Sequence, residues 1–135
     1  MLSGTRILVA DDDLHLLRAV ASALSRLGAD VTRAANGAEL LYNLTDKGPF
    51  DLVVADIGMP WMTGVQAMLA TRTAVSGTAI IIITGLPDES VLDSVSELGE
   101  HTVLLRKPFD LNQLESAVTT LLEQHSRARA ANNKT

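Results

Sequence analysis

The chain has 135 residues, enough for one domain with a substantial core and too few for two comfortable ones. Apolar residues make up 47% and aromatic ones only 3%, which predicts a core of Leu, Val, Ile and Ala. Its 11 Lys and Arg against 16 Asp and Glu leave a net charge of −5, which argues against a nucleic-acid surface, and the lack of cysteine excludes a disulfide framework or a thiolate zinc site.

No basic segment followed by a long apolar run opens the chain, so no signal peptide is visible. The most apolar run, residues 79–83, is far too short to span a bilayer. A soluble, cytoplasmic domain is expected.

In chain order, ILVA (7–10) reads as a first strand, apolar throughout and running straight into Asp11, Asp12 and Asp13. Leu14, Leu17, Val20, Leu24 and Leu27 then recur at three- and four-residue steps, with Asp13 as the cap and Gly28 as the stop. DVTRA (30–34) is a second, shorter strand, and Asn36 caps a helix carrying Leu40, Leu41 and Leu44. LVVA (52–55) is a third strand, followed by a helix over 65–72 built on Val65, Met68 and Leu69. AIIII (79–83) is a fourth strand, and Asp88 starts a helix with Val91, Val95 and Leu98, ended by Gly99. TVLL (102–105) is the last strand. Asp110 and Gln113 then have the spacing of a capping box ahead of Leu111, Leu114, Val118 and Leu121. Residues 126–135 are polar and predict a frayed tail. Five alternations of strand and helix predict a doubly wound parallel α/β sheet flanked by five helices.

Three adjacent aspartates cost free energy unless something positive sits among them. Taken alone, they read as water-facing caps, Thr84 as a turn residue and Lys107 as a solvated charge. In open α/β sheets, however, ligands bind beyond the carboxyl ends of the strands. Asp11, Asp12, Asp56, Thr84 and Lys107 all fall at that edge, although 44 residues separate Asp12 from Asp56 and 51 separate Asp56 from Lys107. Together they would form a pocket suited to a hard cation such as Mg²⁺ and to a phosphate in its open positions. His15, His101 and His125 lack metal-like spacing and are expected at the surface. Met59, Met62 and Met68 read as loop and core packing, and Trp61 as exposed near the pocket mouth.

The motifs VADDD, VVADIGMP, IIITG and RKPF, in this order over residues 6–124, resemble the two-component response-regulator receiver domain. The resemblance implies a flavodoxin-like sheet of strand order 2-1-3-4-5, a receiver domain over 5–125 and a polar tail over 126–135. It makes Asp56 the phosphoacceptor, with a histidine kinase or a phosphotransfer protein as donor. Asp12, Asp56 and the Gly58 carbonyl would ligate Mg²⁺, or Mn²⁺ in its place, and Asp11 would act mainly through a bound water. Thr84 resembles the switch hydroxyl and Lys107 the lysine that pairs with the phosphoryl group, with a cis peptide before Pro108. The implied protein is a signalling switch rather than a turnover enzyme, acting on an unspecified protein target, with a homodimer among its possible assemblies. It departs from the pattern at Leu104, where many receivers carry an aromatic residue.

Two rivals stand beside this reading. Asp11 and Asp13 form the D-x-D of haloacid-dehalogenase-type phosphatases, but His15 stands where those enzymes usually have Thr or Val. A receiver-like interaction module that is never phosphorylated would need neither Asp56, Thr84 nor Lys107. Nucleotide-binding glycine motifs are missing. The chain is either a stand-alone receiver or part of something longer.

Overall fold

A computed structural model describes residues 2–59, 77–85, 89–99 and 101–133. Five strands, β1 (Arg6–Ala10), β2 (Asp30–Ala34), β3 (Leu52–Asp56), β4 (Ala79–Thr84) and β5 (Thr102–Arg106), form one parallel sheet in the order β2-β1-β3-β4-β5. Four helices are described: α1 (Leu14–Arg26), α2 (Gly37–Asp46), α3 (Glu89–Ser96) and α4 (Leu111–Asn133). The helix expected over 65–72 lies outside the described residues, as do Trp61, Met62, Met68 and Asp88.

The central strands β3 and β4 are buried along their whole length, which is why their sequences are apolar runs rather than alternations. Alternate side chains feed two cores. Leu8, Val53, Ile80 and Ile82 point to the layer that holds Leu40 and Leu44 of α2, with Val95 and Leu98 packed against it. Ile7, Val9, Val54, Ile81 and Ile83 point to the opposite layer, with Leu17, Val20 and Leu24 of α1 and Leu114, Val118 and Leu121 of α4. Met59 is buried in the first layer, as its core reading predicted.

The caps follow the sequence closely. The Asp13 carboxylate accepts the amides of His15 and Leu16, and Asn36 accepts that of Glu39. Asp110 accepts the Gln113 amide, while Gln113 Oε1 accepts the Asp110 amide. Gly28 and Gly99 adopt φ of 101° and 104° beyond α1 and α3, the left-handed conformation that ends a helix without steric cost.

Two expectations need correction. His125 is buried rather than on the surface: it continues the α4 stripe Leu114, Val118, Leu121 by one more four-residue step. Its Nε2 donates to the Gly77 carbonyl, and its ring meets the His101 ring edge-on at 4.7 Å between centroids. His15 is exposed as expected, and His101 is half-buried. Residues 126–133, expected to fray, continue α4, since Ala and Arg favour a helix even without an apolar stripe.

At the amino edge of the sheet, Arg6 ties several segments together. Its guanidinium donates to the carbonyls of Pro49 (2.6 Å) and Lys47 (2.7 Å) and lies over the Phe50 ring. Its own amide donates to Asp51 Oδ2, and the Thr78 hydroxyl donates to the Phe50 carbonyl.

Candidate functional site

The carboxyl edge of the sheet is built differently. Parallel β1 and β3 end side by side, with Ala10 in register with Ala55, so the residues that follow, Asp11 and Asp56, emerge together. Ligand oxygens of Asp11, Asp12 and Asp56 lie within 4.8 Å of one another, and two of the three residues are buried. The site residues expected to gather across 44 and 51 residues of chain therefore do meet. Lys107 Nζ donates to Asp56 Oδ2 at 3.0 Å. Thr84 closes β4 and is buried, and its carbonyl accepts the Lys107 amide at 2.7 Å. The Lys107–Pro108 peptide is cis.

Two amides hold the carboxylates from below, and the sequence reading missed both. The Asp13 amide donates to Asp11 Oδ1 at 2.9 Å, and the Gly58 amide donates to Asp56 Oδ1 at 3.0 Å. Both are two-residue Asx contacts, which an Asp followed by a turn favours. They leave Asp11 Oδ2 pointing elsewhere: it is buried and finds no hydrogen-bond partner among the described residues. A buried carboxylate oxygen without a donor costs free energy.

The electrostatics reflect that crowding. Burial pushes the Asp11 carboxyl up to about 6, the Asp13 amide opposes this, and the negative charge of Asp56 adds to it. At Lys107, burial works against the charge, but the Asp56 hydrogen bond and the charges of Asp56, Asp11 and Asp12 outweigh it and raise its pKa. An oxygen-only donor set with one unsatisfied buried oxygen and surplus negative charge fits a hard divalent cation. Asp12→Ala is expected to lower Mg²⁺ affinity by about tenfold or more. Relief of repulsion should also raise the melting temperature of the metal-free protein. Calorimetric titration with Mg²⁺ checks this, and an unchanged affinity refutes direct ligation by Asp12.

The phosphatase-like D-x-D reading loses its second member here. The Asp13 side chain caps α1 through His15 and Leu16 instead of joining Asp11 in the pocket. At the departure from the receiver pattern, Leu104 stands in register with Ile82 and packs, half-buried, on the same layer as Val95 and Leu98.

Comparisons with known proteins place the chain in a family. The family model described as "Response regulator receiver domain" matches residues 7–119. The transcriptional regulatory protein PrrA of Mycobacterium leprae is 33% identical over 98% of this chain and 56% of its own length, so the chain spans about half of that relative. A probable chemotaxis protein CheY of Rhizobium etli is 30% identical over 84% of this chain and 88% of its own. Among solved structures, a response regulator receiver protein from Sinorhizobium medicae superposes with a TM-score of 0.78 at 31% identity, covering 93% of this chain and 99% of that one. Receiver domains are signalling modules that bind Mg²⁺ at an acidic pocket. This chain belongs to the response regulator receiver domain family.

Proposed function

We propose that residues 5–125 act as a phosphoacceptor switch in which Asp56 takes a phosphoryl group from a histidine kinase or a phosphotransfer protein. The observation that carries this reading is the Lys107–Asp56 ion pair of 3.0 Å beside three carboxylates whose oxygens lie within 4.8 Å. Asp11, Asp12, Asp56 and the Gly58 carbonyl are the groups proposed to hold Mg²⁺, directly or through water, with Mn²⁺ as a substitute. The bound cation supplies charge neutralisation to the phosphoryl oxygens.

The chain's own residues do the rest. An Asp56 carboxylate oxygen attacks the donor phosphorus in line, the bond to the leaving group breaks, and an aspartyl phosphate forms. Lys107 Nζ, already at Asp56 Oδ2, moves to a phosphoryl oxygen and keeps its charge compensated. The Thr84 hydroxyl, buried at the end of β4, donates a hydrogen bond to another. Modification and release of Asp56 make this a switch rather than a turnover enzyme, working in the cytoplasm on a protein target or a second copy of itself. No described helix is long and apolar enough to cross a membrane.

Incubation with acetyl phosphate and Mg²⁺ is expected to add one phosphoryl group by intact mass, and chelation to prevent it. Failure to label under these conditions overturns the proposal. For the response, Leu104 offers no ring to swing, so the change is carried by repacking of Val95, Leu98 and Leu104. Leu104→Tyr should leave labelling nearly intact. Thr84→Ala should weaken the changes in amide exchange that beryllofluoride induces over residues 89–106. Exchange changes that avoid these residues in the parent protein would place the output elsewhere.

A further inference from the structure

The capping box of α4 begins three residues after Lys107, and the phosphoacceptor reading gives it no role. Lys107 is held from both sides. Behind it, its amide donates to the Thr84 carbonyl, and its neighbour Arg106 is in register with Thr84. Ahead of it, Pro108 has no amide to donate, so nothing in that residue's backbone can anchor the turn by donation. The next fixed points are the Phe109 ring, packed on the α1–α4 core layer, and the reciprocal bonds between Asp110 and Gln113 at 2.8 and 2.9 Å. The Leu114 amide then closes the first helical turn on the Asp110 carbonyl.

We infer that Asp110, with Gln113, is a positioning residue for Lys107: the cap fixes where α4 starts, and with it the two-residue bridge that aims the ammonium at Asp56. Removal of the Asp110 carboxylate leaves the Gln113 amide without its partner, so the first turn frays. Fraying at 110 releases Phe109 and Pro108, and the lysine then samples a wider set of positions. A lysine stem is flexible and absorbs part of that error, so the effect is graded rather than absolute.

The inference rests on the Asp56 reading, and its test separates the two. Three variants are compared with the parent: Asp110→Ala, Asp110→Asn and Asn36→Ala. Asparagine caps as well as aspartate, so the Asn variant removes the charge near the pocket while keeping the cap. Asn36→Ala removes the cap of α2, where Glu39 Oε1 in turn accepts the Ala35 amide, and serves as a control of like kind on the other side of the sheet. Labelling by acetyl phosphate is expected to slow about fivefold in Asp110→Ala and to stay near the parental rate in the other two. Mg²⁺ affinity should be unchanged in all three, since Lys107 is no metal ligand. Exchange of the Lys107 amide, which donates to Thr84, should quicken in Asp110→Ala alone.

Equal labelling rates in Asp110→Ala and Asn36→Ala would overturn the inference, whatever stability either has lost. So would slowing in Asp110→Asn equal to that in Asp110→Ala, because charge rather than capping would then be the cause. If the parent itself fails to label, the Asp56 reading falls, and Lys107 amide exchange alone decides the cap: no quickening in Asp110→Ala overturns it.

Discussion

Asp56→Asn is expected to abolish phosphoryl incorporation from acetyl phosphate while leaving the fold intact. An amide is no nucleophile at neutral pH, and the two other carboxylates are poor replacements. Asp11 is buried with one oxygen bound by the Asp13 amide, while Asp12 is exposed and has no ion pair to Lys107 among the described residues. The substitution breaks the Lys107 ion pair, but it also takes one charge out of a crowd of three. Lys107 is only partly buried, so its ammonium can turn to water or to the remaining aspartates at small cost. Stability should therefore be kept or slightly raised. Intact mass and peptide mapping check the first expectation, and urea unfolding checks the second. Full labelling of the Asn variant would move the acceptor away from Asp56.

The contribution of Asp11 to the stability of the metal-free fold should grow as the pH falls from 7 towards 5, opposite in sign to that of a carboxylate paired in the folded state. The cause is Asp11, whose carboxyl burial raises to about 6 from 3.8. Above pH 6 it is ionised in both folded and unfolded chains, and the folded state bears the cost of a buried charge. Between the two values the folded chain holds a proton that the unfolded chain has released, so stability falls as pH rises through this window. The displacement caps the effect at about 3 kcal/mol. Mg²⁺ needs the ionised form, so its apparent affinity should drop below about pH 6. Urea unfolding of the parent and of Asp11→Asn, with chelator at pH 7.5 and 5, isolates the contribution. The parent should gain on the variant on acidification. A difference that does not change with pH refutes it.

The sheet was legible because its central strands carry long β-branched runs, and doubly covered strands leave few other readings for such runs. Helix starts were legible where a cap stands directly before a periodic apolar stripe, as at Asp13, Asn36 and Asp110. His125 was misread because a polar residue was judged by its type. Its four-residue step beyond Leu121 was the signal, and it places the ring on the buried face of α4. The length of α4 was underestimated because apolar periodicity stops at residue 121, whereas helix propensity does not. At the site, strand ends predicted which residues share an edge, but spacing alone cannot say that Lys107 meets Asp56; the receiver resemblance gave Lys107 only as the partner of a phosphoryl group. The amides of Asp13 and Gly58 escaped notice because the donors are backbone groups; the available signal was an Asp directly before a turn, at Asp11 and Asp56.

Arg6 gives the molecule a mechanical asymmetry. Its guanidinium and amide fasten β1 to the loop ahead of β3, and the Thr78 hydroxyl and His125 ring fasten the approach to β4. The sheet is thus a cantilever, clamped at its amino edge and loaded at its carboxyl edge by whatever happens to Asp56. A change of charge at Asp56 is therefore expected to displace the chain beyond the ends of β3, β4 and β5 more than the segments fastened at Arg6. On the proposed phosphoacceptor reading, a partner that senses such a change is expected to touch the loaded end.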